Sequence, residues 1–298
     1  MEGCLQARTR QRLQCAWAFA TLNGMPETAP RVLPDDLAFD IDAAVERGCA
    51  FLRARLEEAG LARYVLGLSG GVDSACSAGL AVRALGADRL VTVKMPSATS
   101  LAASLADAEG VEEALGTPAS NRLLIPVAPI VDGWRMATGE APGSVADVRV
   151  GNVAARARML VLWDQAARHQ AIVLGTENRT ENLLGYFTVY GDAGTAVEPL
   201  SPFYKSQVWA LADRLGLPEQ VIRKAPTADL WAGQTDESEL GMRYEDADCV
   251  LYWAIERGNS ATDTAARTGL PPEVVARILD RWRASQFKRD LPYRFDLA

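Results

Sequence analysis

The chain has 298 residues, 49% of them apolar and 23% charged, which is enough apolar material for a large core and excludes wholesale disorder. At roughly 150 residues per domain this length predicts one or two domains. Thirty-one Lys and Arg against 38 Asp and Glu give a net charge of −7, which argues against a nucleic-acid coat or a polybasic membrane anchor and leaves room for a local phosphate pocket.

In chain order, an apolar stretch over 13–22 follows Arg8, Arg10 and Arg12. Gln14 interrupts it and no small-x-small site follows, so it reads as an extension or a docking helix, not a signal peptide. Pro26, Pro30 and Pro34 mark a linker, which sets residues 1–35 apart as a poorly ordered N-terminal extension and 36–298 as the main domain. Apolar residues at helical spacing (Ile41, Val45, Cys49, Leu52, Leu56) predict a helix over 41–59, closed by Gly60. A strand over 64–68, a helix over 74–85, a strand over 90–93, a helix over 101–115 and a strand over 123–127 follow. Residues 133–151, rich in Gly, Ala, Ser and Pro, read as a loop and a candidate lid. A helix over 153–169 and a strand over 172–174 come next. Residues 260–288 read as two helices around Gly269 and Pro271, an outline shared with DNA readers, but in an acidic chain the simpler reading is a packed helical end.

Alternating strands and helices predict an α/β fold: a doubly wound parallel sheet with helices on both faces and a helical C-terminal end. In such sheets ligands bind at the carboxyl ends of the strands. No apolar run approaches the roughly 18–20 residues of a membrane span, so no membrane partner is expected. His169 alone cannot build a multi-imidazole zinc site, and its place at a helix end suits a cation without catalysis. Cys4, Cys15, Cys49, Cys76 and Cys249 form no C-x-x-C and read as free thiols of a reducing, cytoplasmic compartment.

The first strand runs into Gly67-Leu68-Ser69-Gly70-Gly71-Val72-Asp73-Ser74. The glycines permit a tight turn and close approach of a ligand, and the loop and helix-start N–H groups form an anion nest. Asp73 is misplaced beside an anion unless a Mg²⁺ ion bridges it to phosphate oxygens. The loop is neither a P-loop nor G-x-G-x-x-G.

This S-G-G-x-D-S loop resembles the pyrophosphate-binding loop of the ATP-pyrophosphatase superfamily. Downstream come Met95-Pro96-Ser97, Asn152 to Met159, Gly175 to Glu181, Gly185 to Asp192, Pro199-Leu200, Lys205 to Val208, Lys224 to Leu230 and Gln234 to Glu237. In this order they are similar to the ammonia-dependent NAD synthetase family over residues 41–289. The resemblance implies an adenine nucleotide α-hydrolase-like fold and a ligase that forms a C–N bond. The nicotinate carboxylate of deamido-NAD attacks the α-phosphate of ATP and releases pyrophosphate. Ammonia then converts the acyl-adenylate to the amide and AMP. It implies Asp73, Lys205 and Asp192 as catalytic residues and Asp73 and Glu181 as Mg²⁺ ligands. Gly67, Leu68, Ser69, Gly70, Gly71, Val72, Ser74, Met95, Thr176, Lys205 and Thr227 would bind ATP. Arg156, Val189, Ala196, Phe287 and Lys288 fall on the deamido-NAD side. There the family pattern has a lysine at Val189, an aspartate at Ala196 and, in some members, a histidine at Phe287. These departures motivate an alternative, a paralogous ligase that amidates another carboxylic acid. A tRNA-modifying enzyme would need a basic surface, and a non-catalytic nucleotide binder would not need the intact loop. The family is a homodimer with deamido-NAD bound across the interface, and the apolar helix over 153–169 is the candidate contact. The residues before Ile41 are too few for a glutaminase domain, so nitrogen is expected from free ammonia or a separate glutaminase.

Overall fold

The computed structural model describes residues 33–98, 100–140, 148–227, 235–293 and 295; most of the expected extension therefore lies outside the described residues. Four short runs of branched and aliphatic residues form strands β1 (Arg63–Gly67), β2 (Leu90–Lys94), β3 (Arg122–Leu124) and β4 (Ala171–Leu174). All pair in parallel, in the order β3-β2-β1-β4. Val65 stands opposite Val91 on one side and Val173 on the other. Alternation along the pleat divides the apolar residues between two cores. Tyr64 and Leu66 enter the larger one, whereas Val65, Val91, Val93 and Val173 enter the smaller.

The larger core is closed by α1 (Ile41–Ala59) and α2 (Val72–Leu85). Asp40 caps α1 by accepting from the Ala43 N–H at 2.9 Å, and Gly60 ends it in the left-handed region. After β2 comes α3 (Ala102–Ala114), and after β3 comes α4 (Ala128–Thr138). The smaller core is closed by α5 (Val148–His169), through Ala157, Val161 and Ala166.

The expected loop over 133–151 is largely helix. Residues 133–138 complete α4, and 148–151 open α5 five residues ahead of the expected start; 141–147 lie outside the described residues. Gly151 is buried within the first turn of α5 and does not break the helix. Strand β3 is shorter than expected because Ile125 to Val127 leave the sheet, although Ile125 N–H still reaches Lys94 O at 2.9 Å.

The remaining chain is helical: α6 (Arg179–Leu184), α7 (Lys205–Arg214), α8 (Glu219–Arg223), α9 (Asp236–Leu240), α10 (Tyr244–Leu251), α11 (Ala261–Thr268), α12 (Pro272–Ala284) and α13 (Gln286–Arg289). A π-turn over Tyr252–Glu256 extends α10. Val275, Ile278 and Leu279 of α12 sit in the same core as Tyr244 and Leu251, which bears out the reading of a packed helical end. Among the described residues no helix is long and apolar enough to cross a membrane. Cys49, Cys76 and Cys249 are free thiols; Cys4 and Cys15 lie outside the described residues.

Candidate active site

The loop from β1 to α2 is folded on itself by its own hydroxyls. Ser69 Oγ lies 3.1 Å from Ser74 Oγ, the Gly71 N–H donates to Ser69 Oγ at 3.2 Å, and Ser74 Oγ donates to Gly71 O at 2.9 Å. Gly70 has φ +81° and passes so close to α3 that a Cβ would meet Ser104 O at 2.2 Å. No side chain caps α2, whose first-turn amides open on a cavity of about 410 Å³ at the carboxyl ends of the strands. Uncapped amides at a helix start suit an anion.

Asp73, in the first turn of α2, meets two other elements across this cavity. Lys205, at the start of α7, places Nζ 2.5 Å from Asp73 Oδ2 and 3.1 Å from Glu181 Oε1 on α6. Asn178 donates to Asp73 Oδ1 at 2.8 Å. Asn178 also caps α6, accepting from the Glu181 N–H, while Glu181 accepts from the Asn178 N–H. One capping box thus aims Glu181 and binds Asp73. Lys205 is 1% exposed, a burial that a lysine tolerates when carboxylates face it. Burial works to lower its pKa, and Asp73 and Glu181 outweigh that and hold it above the ordinary value. Burial pushes the Glu181 carboxyl well up against the pull of Lys205, with Asp73 and Asp236 adding to the rise.

Behind this triad, Asp248 is fully buried and ties α6 to α7. It accepts from Thr180 Oγ1 at 2.5 Å, from the Ser206 N–H at 2.8 Å and from Ser206 Oγ at 2.6 Å. Thr180 Oγ1 in turn accepts from the Lys205 N–H at 2.9 Å. Burial raises Asp248 to about 6. Tyr244 lies under Lys205, its ring centroid 5.0 Å from Nζ, and donates to Asp236.

A second wall follows β4. Glu198 packs against Gly175, where a Cβ would meet its carboxylate at 2.0 Å, and accepts from the Glu177 N–H at 3.0 Å and from Thr195 Oγ1. Burial, with Glu177 and Asp192 nearby, raises Glu198 to about 8, and burial raises Glu177 to about 7. Asp192 accepts from the Thr188 N–H at 2.7 Å. Lys288 donates to the carbonyls of Gly185 and Phe187, both at 2.7 Å, and burial lowers its pKa.

The structure gathers most of the expected residues around one cavity. Gly67, Leu68, Ser69, Gly71, Val72, Asp73, Ser74, Met95, Thr176, Glu181, Asp192, Lys205, Thr227 and Lys288 all line it. Met95 rests on Gly67, and Arg158 donates to Met95 O at 3.1 Å. Gly70, which is turned against α3, and Arg156, Val189, Ala196 and Phe287 do not line it. Arg156 donates to Val189 O at 3.2 Å on an outer face, and Phe287 is 53% exposed. Residues 228–234 of the quoted series lie outside the described residues. Asn178, Asp236, Asp248, Glu198 and Arg158 have no role assigned from the sequence; Asn178, Arg158 and Asp236 fall within the motif series, Asn178 also as the N-x-x-E cap, while Asp248 and Glu198 lie outside it.

A family model described as NAD synthase matches residues 44–292. The chain belongs to the NAD synthase family. A relative in Chlorobaculum parvum, named NH(3)-dependent NAD(+) synthetase, is 40% identical over 259 residues, covering 87% of this chain and 91% of its own length. Among solved structures, an NH3-dependent NAD synthetase from Campylobacter jejuni aligns with TM-score 0.71 and 32% identity, and an NMN synthetase from Francisella tularensis with TM-score 0.75 and 30% identity. Each alignment covers 87% of this chain and 100% of the other. The match to the NAD synthase family spans every element that lines the cavity.

Proposed function

We propose that this chain is an ammonia-dependent NAD synthetase that adenylates the nicotinate carboxylate of deamido-NAD with ATP and transfers the acyl group to ammonia. The observation that carries the reading is the meeting of Asp73, Lys205 and Glu181 beside the uncapped start of α2. Pyrophosphate is a highly charged leaving group and needs preorganised donors and cations where its charge develops. The first-turn amides of α2 supply donors, and the internal bonds of the loop over Ser69, Gly70, Gly71 and Ser74 hold its shape beside them. Lys205 supplies a fixed positive charge, and Thr227 stands on the same wall.

Among the described residues no three acidic, His or Cys side chains gather into a metal cluster. That suits Mg²⁺, which takes one or two carboxylates and completes its shell with phosphate oxygens and water. Asp73 and Glu181 are the hard oxygen donors that would hold it, and the ion would offset phosphate charge during adenylation. Both carboxylates now hold the Lys205 ammonium, so this cation stands between the two expected ligands. On the second wall, the half-buried carboxylates Glu198 and Glu177 and the more exposed Asp192 hold the segments around Thr176 and Thr188 in place for the acceptor. Residues 36–298 form the ligase domain in this reading, and the protein works in the cytoplasm. The outer face of α5, with Leu160 57% and Trp163 44% exposed, is the proposed contact of a homodimer. Met159 and Leu162 of the same helix turn inward to the cavity.

A second reading has one specific observation in its favour: the similarity to the NMN synthetase. In it the acceptor is the mononucleotide bearing the same carboxylate. Purified protein with ATP, Mg²⁺ and ammonium, given either acceptor and followed for amide and AMP, tests both. Efficient NAD formation supports the first reading, and a preference for the mononucleotide supports the second. Equal rates with ammonia-free glutamine would refute ammonia dependence.

A further inference from the structure

Arg281, on α12, lines the cavity from the C-terminal side. Its guanidinium lies over the Tyr186 ring, 5.8 Å from the centroid. Its Nε is shut off from solvent and has no hydrogen-bond partner. Its neighbours on the same side are satisfied: Lys288 donates to two carbonyls, and Arg289 donates to Leu183 O, Trp282 O and Ser285 Oγ. The nearby carboxylates are also engaged, since Glu239 and Asp236 both accept from the Tyr186 hydroxyl. Burial lowers the pKa of Arg281 against the pull of Tyr186 and Glu239, and the Lys288 cation is close enough for the two to repel. A cation in this state weakens the folded protein unless something else completes it. Arginine presents a planar fork that matches phosphate and carboxylate oxygens.

We infer that Arg281 is a substrate-binding residue, a cation that closes on an oxyanion of a bound nucleotide. The inference rests on the reading of the cavity as a nucleotide site and assigns a role to α12 that the loop after β1 does not provide. Tyr186 and Tyr244 link Arg281 to the surroundings of Lys205, which points to the polyphosphate of ATP; Lys288 links it to the acceptor wall, which makes the phosphates of the dinucleotide the other source of the same chemistry.

Calorimetric titration of the Arg281→Met and Arg281→Lys proteins tests this, with magnesium pyrophosphate in one arm and deamido-NAD in the other. Methionine keeps the packing on Tyr186 and removes the charge. The expected result is a loss of about 10- to 100-fold in affinity in at least one arm. The melting temperature without ligand should stay unchanged or rise by about 2–4 °C, because a half-buried cation whose Nε has no hydrogen-bond partner is gone. Loss in the pyrophosphate arm assigns the leaving group, and loss confined to deamido-NAD assigns the dinucleotide. Unchanged affinity in both arms overturns the inference, as does a lower melting temperature with unchanged binding. If Arg281→Met does not fold, Arg281→Lys decides: weaker binding supports the inference and unchanged binding overturns it. Wild-type protein that binds neither ligand refutes the nucleotide reading itself, and the role of Arg281 with it.

Discussion

Replacing Gly70 with alanine should damage ATP use more than any other single-methyl change in the loop. Gly70 has φ +81°, a conformation that costs an L side chain about 1–2 kcal/mol. The added methyl would also lie 2.2 Å from Ser104 O and 3.1 Å from Asp107 Cβ. Ordinary contact then requires the loop and α3 to separate by roughly 1 Å. Helix α3 cannot simply retreat, because Lys224 Nζ holds Ser104 Oγ at 3.0 Å and Asp107 Oδ2 at 2.8 Å. The loop must move, and its movement strains the Ser69–Ser74 and Ser69–Gly71 bonds. Losing one or two of these adds about 1–2 kcal/mol, for a total of about 2–4 kcal/mol. At about 2–4 °C per kcal/mol the melting temperature should fall by roughly 5–15 °C. A displacement of about 1 Å at a phosphate cradle should lower kcat/KM for ATP on the order of 10²-fold. Thermal denaturation and steady-state kinetics with ATP as the varied substrate measure both. A melting temperature and a kcat/KM for ATP like those of the wild type would refute the claim that close approach to α3 sets the loop.

Asp73→Asn should leave the fold intact and reduce turnover on the order of 10²–10³-fold, the scale for removing one electrostatic group at a reacting centre; near-normal turnover at saturating Mg²⁺ would contradict its role. Lys205→Met strips the ammonium from Asp73 and Glu181, so without nucleotide Mg²⁺ should raise the melting temperature of the variant and leave the wild type nearly unmoved; an unresponsive variant would dismiss these carboxylates as metal ligands. Glu198 has its pKa raised in the fold to about 8, so the proton it retains stabilises the native state at low pH and that contribution is lost as pH rises through about 8. Wild-type stability should therefore fall relative to Glu198→Gln by up to about 1.4 kcal/mol per pH unit between the ordinary carboxyl value of 4.5 and about 8 and run level above it, and parallel denaturation profiles from pH 5 to 8 would show that Glu198 ionises normally.

The parts of the fold that the sequence discloses are those governed by neighbours in the chain. The strand of buried branched residues, the S-G-G-x-D-S turn and the helix after it are local in cause, and the structure matches them closely. The 133–151 segment misleads because its glycines carry opposite meanings. Gly133 sits inside α4 with no atom within 4 Å of a would-be Cβ, so there glycine is merely tolerated, whereas Gly151 is buried at the start of α5. The site divides the same way. Lys205 at a helix start has the pattern of a solvated charge; only the fold, by bringing Asp73 from 132 positions away, makes it a buried ion pair. Asp248 lies 68 positions from Thr180 and 42 from Ser206, so nothing local marks it as the tie between α6 and α7.

The departures at Val189 and Ala196 have the same explanation from the opposite direction. At both positions the backbone has a visible role that does not depend on the side chain. Val189 O accepts from Arg156 Nε at 3.2 Å, and the Ala196 N–H donates to Val173 O at 3.1 Å, one residue before the bridge of Val197 to Leu174 that continues the line of β4. Any residue can supply those contacts, so losing a lysine and an aspartate leaves the segment from Phe187 to Glu198 folded. Its anchors are Asp192 on the Thr188 N–H, Lys288 on Phe187 O, Trp163 on Gly194 O and Glu198 on the Glu177 N–H. Val189 and Ala196 do not line the cavity, so the uncharged side chains there leave the wall held by Glu198, and Asp73, Lys205 and Glu181 with it, undisturbed. In the proposed reaction these departures therefore bear on the acceptor through the outer face of the segment from Phe187 to Glu198, and the cluster of Asp73, Lys205 and Glu181 stands apart from them.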